Sequence, residues 1–383
     1  MYVIVGIPSF NEADSIAGVV RAADRGLTLL ARTFPDLRAL ILNVDSNSPD
    51  GTARAFLGTA TSWDKKAITT QGDPGKGKNI LAMIALAQAG RADGLLMLDG
   101  DLESAEPEWI VSLARPVLRQ SADFVTPDYE RTLFDGAITC HFAWPLLLSV
   151  FGRDIRQPIA GDFALGRRLL AQVGHEQVGQ ESVPPSVSLY GIDIHLTLTA
   201  VTQDMRLATA PLGGKRHKPS YPKLLTMFPQ VANAAAPFVA RSLPAEPTGL
   251  SDAVERMSFL RNAPFAQRDD ATRLLSSLLP RAAELCRGVG WLSAIEGEVL
   301  AALADGNGLS AGPWSKILAA WICQVRAQPR DAAAGGGEDL TPFFMIRAVT
   351  FWLMVASAGE EAAIRDLKQV PLLLHEQLAN QSR

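Results

Sequence analysis

An α/β protein with a mainly parallel, doubly wound sheet, followed by an all-α C-terminal region, is the fold class this chain predicts. Three observations predict it. Short apolar runs alternate with amphipathic helical stretches from Tyr2 to Leu98. A polar loop follows several of these runs, where strands of such sheets leave the core. The strand signal stops near Pro237, and helical periodicity continues beyond it.

In order, residues 3–7 form a first strand and 14–30 an amphipathic helix. Residues 37–44 form a second strand, and a helix opens at 49–57. A short strand at 67–70 precedes a helix at 79–89, and 94–98 is a buried strand. A helix is expected at 107–119 and a strand at 123–127. Residues 132–151 read as a long apolar helical stretch interrupted by Pro145. Further strands are expected at 159–165 and 207–210, with a helix at 193–202 between them. Pro244 and Pro247 mark a linker, and Ala332 to Gly337 a flexible loop. The expected division is a first domain at 1–235 and a helical domain at 236–383.

Of the 383 residues, 48% are hydrophobic, enough for a substantial core, and the net charge is -4. That charge argues against a nucleic-acid binder, which carries a basic excess. Cys140, Cys286 and Cys323 have no metal-ligand spacing and read as thiols in a reducing, cytoplasmic compartment. Residues 340–358 are apolar, but Arg347 sits in their middle. A central Arg costs about 3 kcal/mol in a membrane span, so this is expected to be a buried helix.

The most informative stretch is Asp99-Gly100-Asp101, directly after Leu95-Leu96-Met97-Leu98. Positions i and i+2 of an extended chain point the same way, so both carboxylates can face one point. Clustered anionic oxygens suit Mg²⁺ or Mn²⁺. The plain alternative is a solvated Asp-Gly turn. Four other segments accompany it. Pro8-Ser9-Phe10-Asn11-Glu12 follows strand one, where a nucleotide loop sits in such sheets. Asp45, in Asn43 to Thr52, can accept hydrogen bonds from a base or ribose, while Ser48 or Asp50 caps the next helix. Gly75-Lys76-Gly77-Lys78 opens a helix, with glycines that let amides approach a diphosphate and Lys76 supplying charge. Lys215-Arg216-His217-Lys218 is a basic segment in which His217 is a possible third ligand. A nucleotide loop, a diphosphate loop, a divalent metal and a basic closing segment are the equipment for breaking a sugar–phosphate bond.

P-S-F-N-E, V-D-S-N-S-P-D-G-T, G-K-G-K-N and D-G-D, in this order, resemble a GT-A glycosyltransferase over roughly residues 1–235. Gln157-Pro158-Ile159-Ala160-Gly161-Asp162 is similar to the Q-P-x-G-G-E segment of mannosylglycerate synthase and glucosyl-3-phosphoglycerate synthase. Tyr190-Gly191-Ile192-Asp193 is similar to their aromatic-G-[IV]-[DE] motif. The resemblance implies a metal-dependent retaining transferase that puts a hexose on the 2-hydroxyl of glycerate or its phosphate. It implies Asp101 and His217 as metal ligands. Pro8, Phe10, Asn11, Glu12, Asp45, Lys76, Asp99 and Gly100 would hold a UDP- or GDP-hexose. Asp193 would sit at the anomeric centre or bind sugar hydroxyls, and Arg131, Thr139 and Gly161 would receive the acceptor. Asp162 stands where the family has Glu, beside donor sugar or acceptor.

Two other readings remain open. One is an inverting transferase acting on a lipid or polysaccharide, with Asp162 as its general base. The other is a non-catalytic sugar-nucleotide sensor. A sugar-1-phosphate nucleotidyltransferase is disfavoured, because residues 8–12 are not a Gly-rich, Arg-containing loop. No nucleic acid and no integral membrane segment are expected, and the apolar tail makes a homo-oligomer plausible.

Overall fold

The computed structural model describes residues 1–178, 184–218, 221–242, 249–256, 259–260, 268–306, 308–329 and 336–381. Its strands are Tyr2–Ser9 (β1), Arg38–Asp45 (β2), Lys65–Thr69 (β3), Gly94–Met97 (β4), Phe124–Glu130 (β5), Ala164–Gly166 (β6) and Leu207–Gly214 (β7). The α-helices of the first half are Ile16–Ala31 (α1), Thr52–Gly58 (α2), Lys76–Ala89 (α3), Pro107–Leu118 (α4), Trp144–Phe151 (α5), Arg167–Val178 (α6) and Ile192–Thr202 (α7). Those of the second half are Leu224–Arg241 (α8), Leu250–Glu255 (α9), Arg268–Gly288 (α10), Glu296–Ala304 (α11), Ala311–Ala327 (α12), Gly337–Ala358 (α13) and Glu360–Gln381 (α14).

The chain forms two compact units, Met1–Glu130 with Gln157–Pro219, and Arg131–Arg156 with Ser220–Arg383. This grouping differs from a single division at 235. Residues 131–156 and 220–235 go with the helical unit. The reason is visible in the sequence of residues 139–150, every one of which is buried. A segment with no polar face must be covered on all sides.

In the first unit the sheet order is β3-β2-β1-β4-β6-β5-β7. β1 runs parallel to β2 and β4, β2 to β3, and β5 to β7, while β6 is antiparallel to both neighbours. The expected mainly parallel α/β class is therefore present. A side chain at Gly6 would meet Met83 of α3, and one at Gly94, beside Val3, would meet Val117 of α4. Positions 3 and 6 of one strand point to opposite faces, so α3 and α4 cover opposite sides of the sheet. α1 packs on α4, and α3 packs on α6 and α7. The expected strand at 159–165 is the three-residue β6, and α6, which the sequence reading did not assign, follows it directly.

The second unit is helical. A π-helical turn, Thr139–Ala143, runs into α5 with Pro145 in its first turn, so proline starts the α-helix there and does not break it. Phe228 of α8 stacks on Phe344 of α13 at 3.9 Å, and Phe142 meets Phe228 and Trp321 edge-on. α13 is long and apolar enough to cross a membrane, but 72% of its apolar window is buried, and Arg347 has no exposure. It is the buried helix expected at 340–358. Pro244, Pro247 and residues 332–335 lie outside the described residues.

Candidate functional site

The loops that follow β1, β2, β4 and β7 are stitched together by polar contacts. Asn11, left-handed with φ 61°, donates its amide to Ser48 Oγ at 2.8 Å, and Glu12 donates its own to Thr52 Oγ1 at 2.8 Å. Asp50 accepts the amides of Thr52 (2.9 Å), the first residue of α2, and of Ala13 (3.0 Å), so it ties the start of α2 to the first loop. Asp45 is 2% exposed and accepts from Ser9 Oγ (2.8 Å), Ser48 N (2.7 Å) and Ser48 Oγ (2.6 Å). Its carboxylate shapes the loop from within. Phe10, by contrast, is 42% exposed.

The glycines at the start of α3 do something different from the amide cradle expected. The Gly77 amide donates to Leu189 O at 2.9 Å, and a Cβ at Gly77 would lie 1.8 Å from Val187 O. Gly77 therefore admits the backbone that leads into α7. That docking carries Asp193, the second residue of α7, to Lys76, the first residue of α3. Lys76 Nζ lies 2.9 Å from Asp193 Oδ2 and 2.9 Å from Asp99 Oδ1.

Asp99 is held from every side. Its other oxygen, Oδ2, is 3.2 Å from Lys215 Nζ, and its amide donates to Asp162 Oδ1 at 2.9 Å. Asp162 has no exposure. Its Oδ2 accepts from Lys215 Nζ at 2.6 Å and from the Tyr129 hydroxyl. Gly161, at φ +83°, lies so close that a Cβ there would be 2.3 Å from Asp99 Oδ2. Only glycine combines that left-handed backbone with that approach.

Burial alone would raise the Asp99 carboxyl, but the ammonium groups of Lys76 and Lys215 overcome it and hold it well below the usual range. Burial lowers Lys76, yet Asp193 and Asp99 outweigh it and keep the ammonium charged. Asp193 is raised by burial, with Lys76 opposing and Asp99 reinforcing, and its Oδ1 is buried with no hydrogen-bond partner among the described residues. Asp101 is raised by burial and by the charge of Asp99, with Lys215, His217 and Lys76 offsetting in part.

His217 reaches Asp101 through a short antiparallel bridge, Leu102 to His217, flanked by Glu103 N donating to Arg216 O at 2.9 Å. His217 Nδ1 lies 2.7 Å from Lys218 O. A carbonyl only accepts, so Nδ1 carries the proton and the lone pair of a neutral ring is on Nε2, the tautomer of a metal ligand. Lys218 Nζ clasps Glu12 Oε2 and Asp14 Oδ1, both at 2.7 Å.

No three His, Cys, Asp or Glu side chains among the described residues already surround one point. The donor set nonetheless fits a divalent ion. Asp99, Asp101, Asp162 and Asp193 face the two ammonium groups of Lys76 and Lys215. With all six ionised, two negative charges are left over. Among the described residues no side chain hydrogen-bonds to or ion-pairs with Asp101.

The structure thus brings together Glu12, Lys76, Asp99, Gly100, Asp101, Gly161, Asp162, Asp193 and His217. Arg131 and Thr139 belong to the second unit, where Arg131 Nη1 pairs with Asp135 at 2.7 Å. Tyr129 and the inward turn of Lys215 were not found from sequence. Nothing in a run of three basic residues and a His says which one enters the core.

No family model matches this chain, and no curated protein matches it. Among solved structures it is similar to glucosyl-3-phosphoglycerate synthase from Mycobacterium tuberculosis. For the form with Mg²⁺ and UDP, identity is 22% over 62% of this chain and 78% of that chain, at a TM-score of 0.49. For the form with Mn²⁺, UDP-glucose and phosphoglyceric acid, identity is 22% over 62% and 79%, at 0.49. For the form with phosphoglyceric acid alone, it is 21% over 64% and 81%, at 0.47.

Proposed function

We propose that this chain is a metal-dependent retaining hexosyltransferase. It takes glucose or mannose from a UDP- or GDP-hexose and gives it to the 2-hydroxyl of D-glycerate or 3-phosphoglycerate, making a compatible solute. The observation that carries the reading is the division of labour in Asp99-Gly100-Asp101. Two lysines occupy Asp99, whereas Asp101 stands near His217 and forms no ion pair among the described residues.

In this reading Asp101 and His217 Nε2 hold Mg²⁺ or Mn²⁺. The metal, when bound, neutralises charge on the leaving diphosphate. Asp193 Oδ1, buried and without a partner among the described residues, accepts a hydroxyl of the donor hexose, since a buried acceptor left unmade costs about 1–3 kcal/mol. Lys76 keeps Asp193 oriented and adds positive charge close to the donor. Asp45 and Asp50 fix the loops of residues 8–12 and 46–52, and exposed Phe10 offers a base an aromatic face. The acceptor role of Arg131 and Thr139 rests on the sequence resemblance. An inverting mechanism loses its candidate base, because Asp162 has no exposure and both of its oxygens are engaged.

The test is to incubate the protein with Mg²⁺ or Mn²⁺, a panel of UDP- and GDP-hexoses and either acceptor, and to follow nucleoside diphosphate release. Release that requires one hydroxy acid supports the reading and names both substrates. Release indifferent to either acid points to another acceptor. No release with any donor favours the sensor.

A further inference from the structure

Lys215 is nearly as buried as a core leucine, at 8% exposure for the residue and 3% for its side chain. Its ammonium group has three N–H donors. Three oxygens receive them: Ala160 O at 2.8 Å, Asp162 Oδ2 at 2.6 Å and Asp99 Oδ2 at 3.2 Å. The face of Tyr129 lies 5.1 Å away, and the Tyr129 hydroxyl donates to the same Asp162 oxygen. Tyr129 is itself packed on Trp109 of α4, with ring centroids 5.4 Å apart. These contacts link β5, the segment before β6, β7 and the end of β4.

Asp162 braces two things at once, the Asp99 amide through Oδ1 and Lys215 through Oδ2. The Asp99 carboxylate is then pinned between Lys215 and Lys76, against Gly161. From Asp99 the line continues through Lys76 to Asp193, whose second oxygen is buried and has no hydrogen-bond partner among the described residues.

We propose that Lys215 is a positioning residue. With Asp162 and Tyr129 behind it, it fixes the Asp99 carboxylate, and through Lys76 the Asp193 carboxylate, in the geometry that receives the donor sugar. This rests on the transferase reading for its kinetic consequence, but not for its structural one. Lys215 does not touch the substrate; it acts through Asp99.

The experiment has two arms. In the first, crystal structures of wild type and Lys215→Met are compared. Without the ammonium, the Asp99 carboxylate leaves Gly161 and its contact with Lys76 opens. If Asp99 instead stays within about 0.5 Å of its wild-type place, the proposal is overturned whatever reaction the protein performs. In the second arm kcat, donor KM and the affinities for UDP and GDP are measured for Lys215→Met, Lys215→Arg and Tyr129→Phe. Misplacement of a reacting group by about 1 Å costs about a hundredfold, so kcat of Lys215→Met falls by about that factor. Affinity for the nucleoside diphosphate, which lacks the sugar, changes less than about threefold on the same reasoning. Lys215→Arg keeps the charge and recovers part of kcat. Tyr129→Phe keeps the ring and lowers kcat by about tenfold or less, in line with one lost hydrogen bond. Should Lys215→Met not fold, the Arg and Phe variants decide. Unchanged kcat in both, with only a lower melting temperature, reduces Lys215 to a structural role. A wild type inactive with every donor removes the transferase reading and leaves the first arm to judge the positioning.

Discussion

Lys215 in the first unit and Arg347 in the second are both cations shut away from water, yet their surroundings differ. Arg347 lies in the middle of α13 with one main partner, Asp366 of α14, at 2.5 Å, and donates to Leu309 O at 3.2 Å. Its Nε and Nη2 have no hydrogen-bond partner among the described residues, and burial lowers its pKa, with Asp366 opposing. The charges there match one to one. Around Lys215, Lys76 and four aspartates the acids outnumber the bases, and the unmatched oxygens belong to Asp101 and Asp193. A balanced pair inside a helical core holds elements in register. An unbalanced cluster at the carboxyl edge of a sheet is an invitation to a ligand.

Removing one charge from each group separates the two kinds. If the proposed reading holds, Asp101→Ala abolishes hexose transfer, by about a thousandfold or more, because a metal held there would contribute several kcal/mol and each 1.4 kcal/mol is tenfold. Its folding should be nearly unchanged, as Asp101 hydrogen-bonds to no other side chain among the described residues; turnover retained in this variant removes its assigned role. Asp366→Ala should do the reverse to its unit. It strands Arg347 and costs about 3 kcal/mol in denaturant unfolding, whereas the double variant Arg347→Met, Asp366→Leu returns most of it. A double variant no better than the single would show that the pair is irreplaceable.

Gly161→Ala sharpens the comparison from the backbone side. A left-handed residue with a Cβ costs about 1–2 kcal/mol, and here the Cβ also pushes on Asp99. Activity should fall further than stability does. Equal losses would mean that the position matters only for folding.

A further test is a pH dependence in the helical unit. Burial, with Arg347 adding repulsion, holds His141 well below its ordinary value of 6.5, so it is neutral when folded. Its folded pKa is below its unfolded one. The stability this gives is therefore present above about pH 6.5 and declines as pH falls, by about 1.4 kcal/mol per unit, until the folded pKa is reached. His141→Phe should flatten the melting temperature between about pH 6.5 and 5. A wild-type profile already flat over that range would contradict the buried neutral imidazole.

Much of this arrangement is legible in the chain. The apolar run 95–98 ending in two acids, the P-S-F-N-E loop and the basic 215–218 segment each stand where a sheet edge places them. What local pattern does not carry is which partners meet across long separations. Lys215 is 53 residues from Asp162 and 116 from Asp99. Its burial depends on acids that only the finished sheet brings near. Gly75 and Gly77 misled for a related reason. A glycine marks close approach but does not say whether an anion or a neighbouring backbone approaches. α6 escaped because the helix is polar over much of its length and begins immediately after a three-residue strand, with only Gly166 marking the change.

The interruption of the first unit by residues 131–156 has a practical consequence for anyone dissecting the chain. A fragment cut after β7 would still contain the π-helical turn and α5, but not α13 and α14, against which they pack. Twelve consecutive buried residues, from Thr139 to Val150, would then face water. Such an exposed stripe promotes aggregation. Expression of the sheet unit alone therefore requires excising that loop, and a simple C-terminal truncation would mistake insolubility for loss of fold.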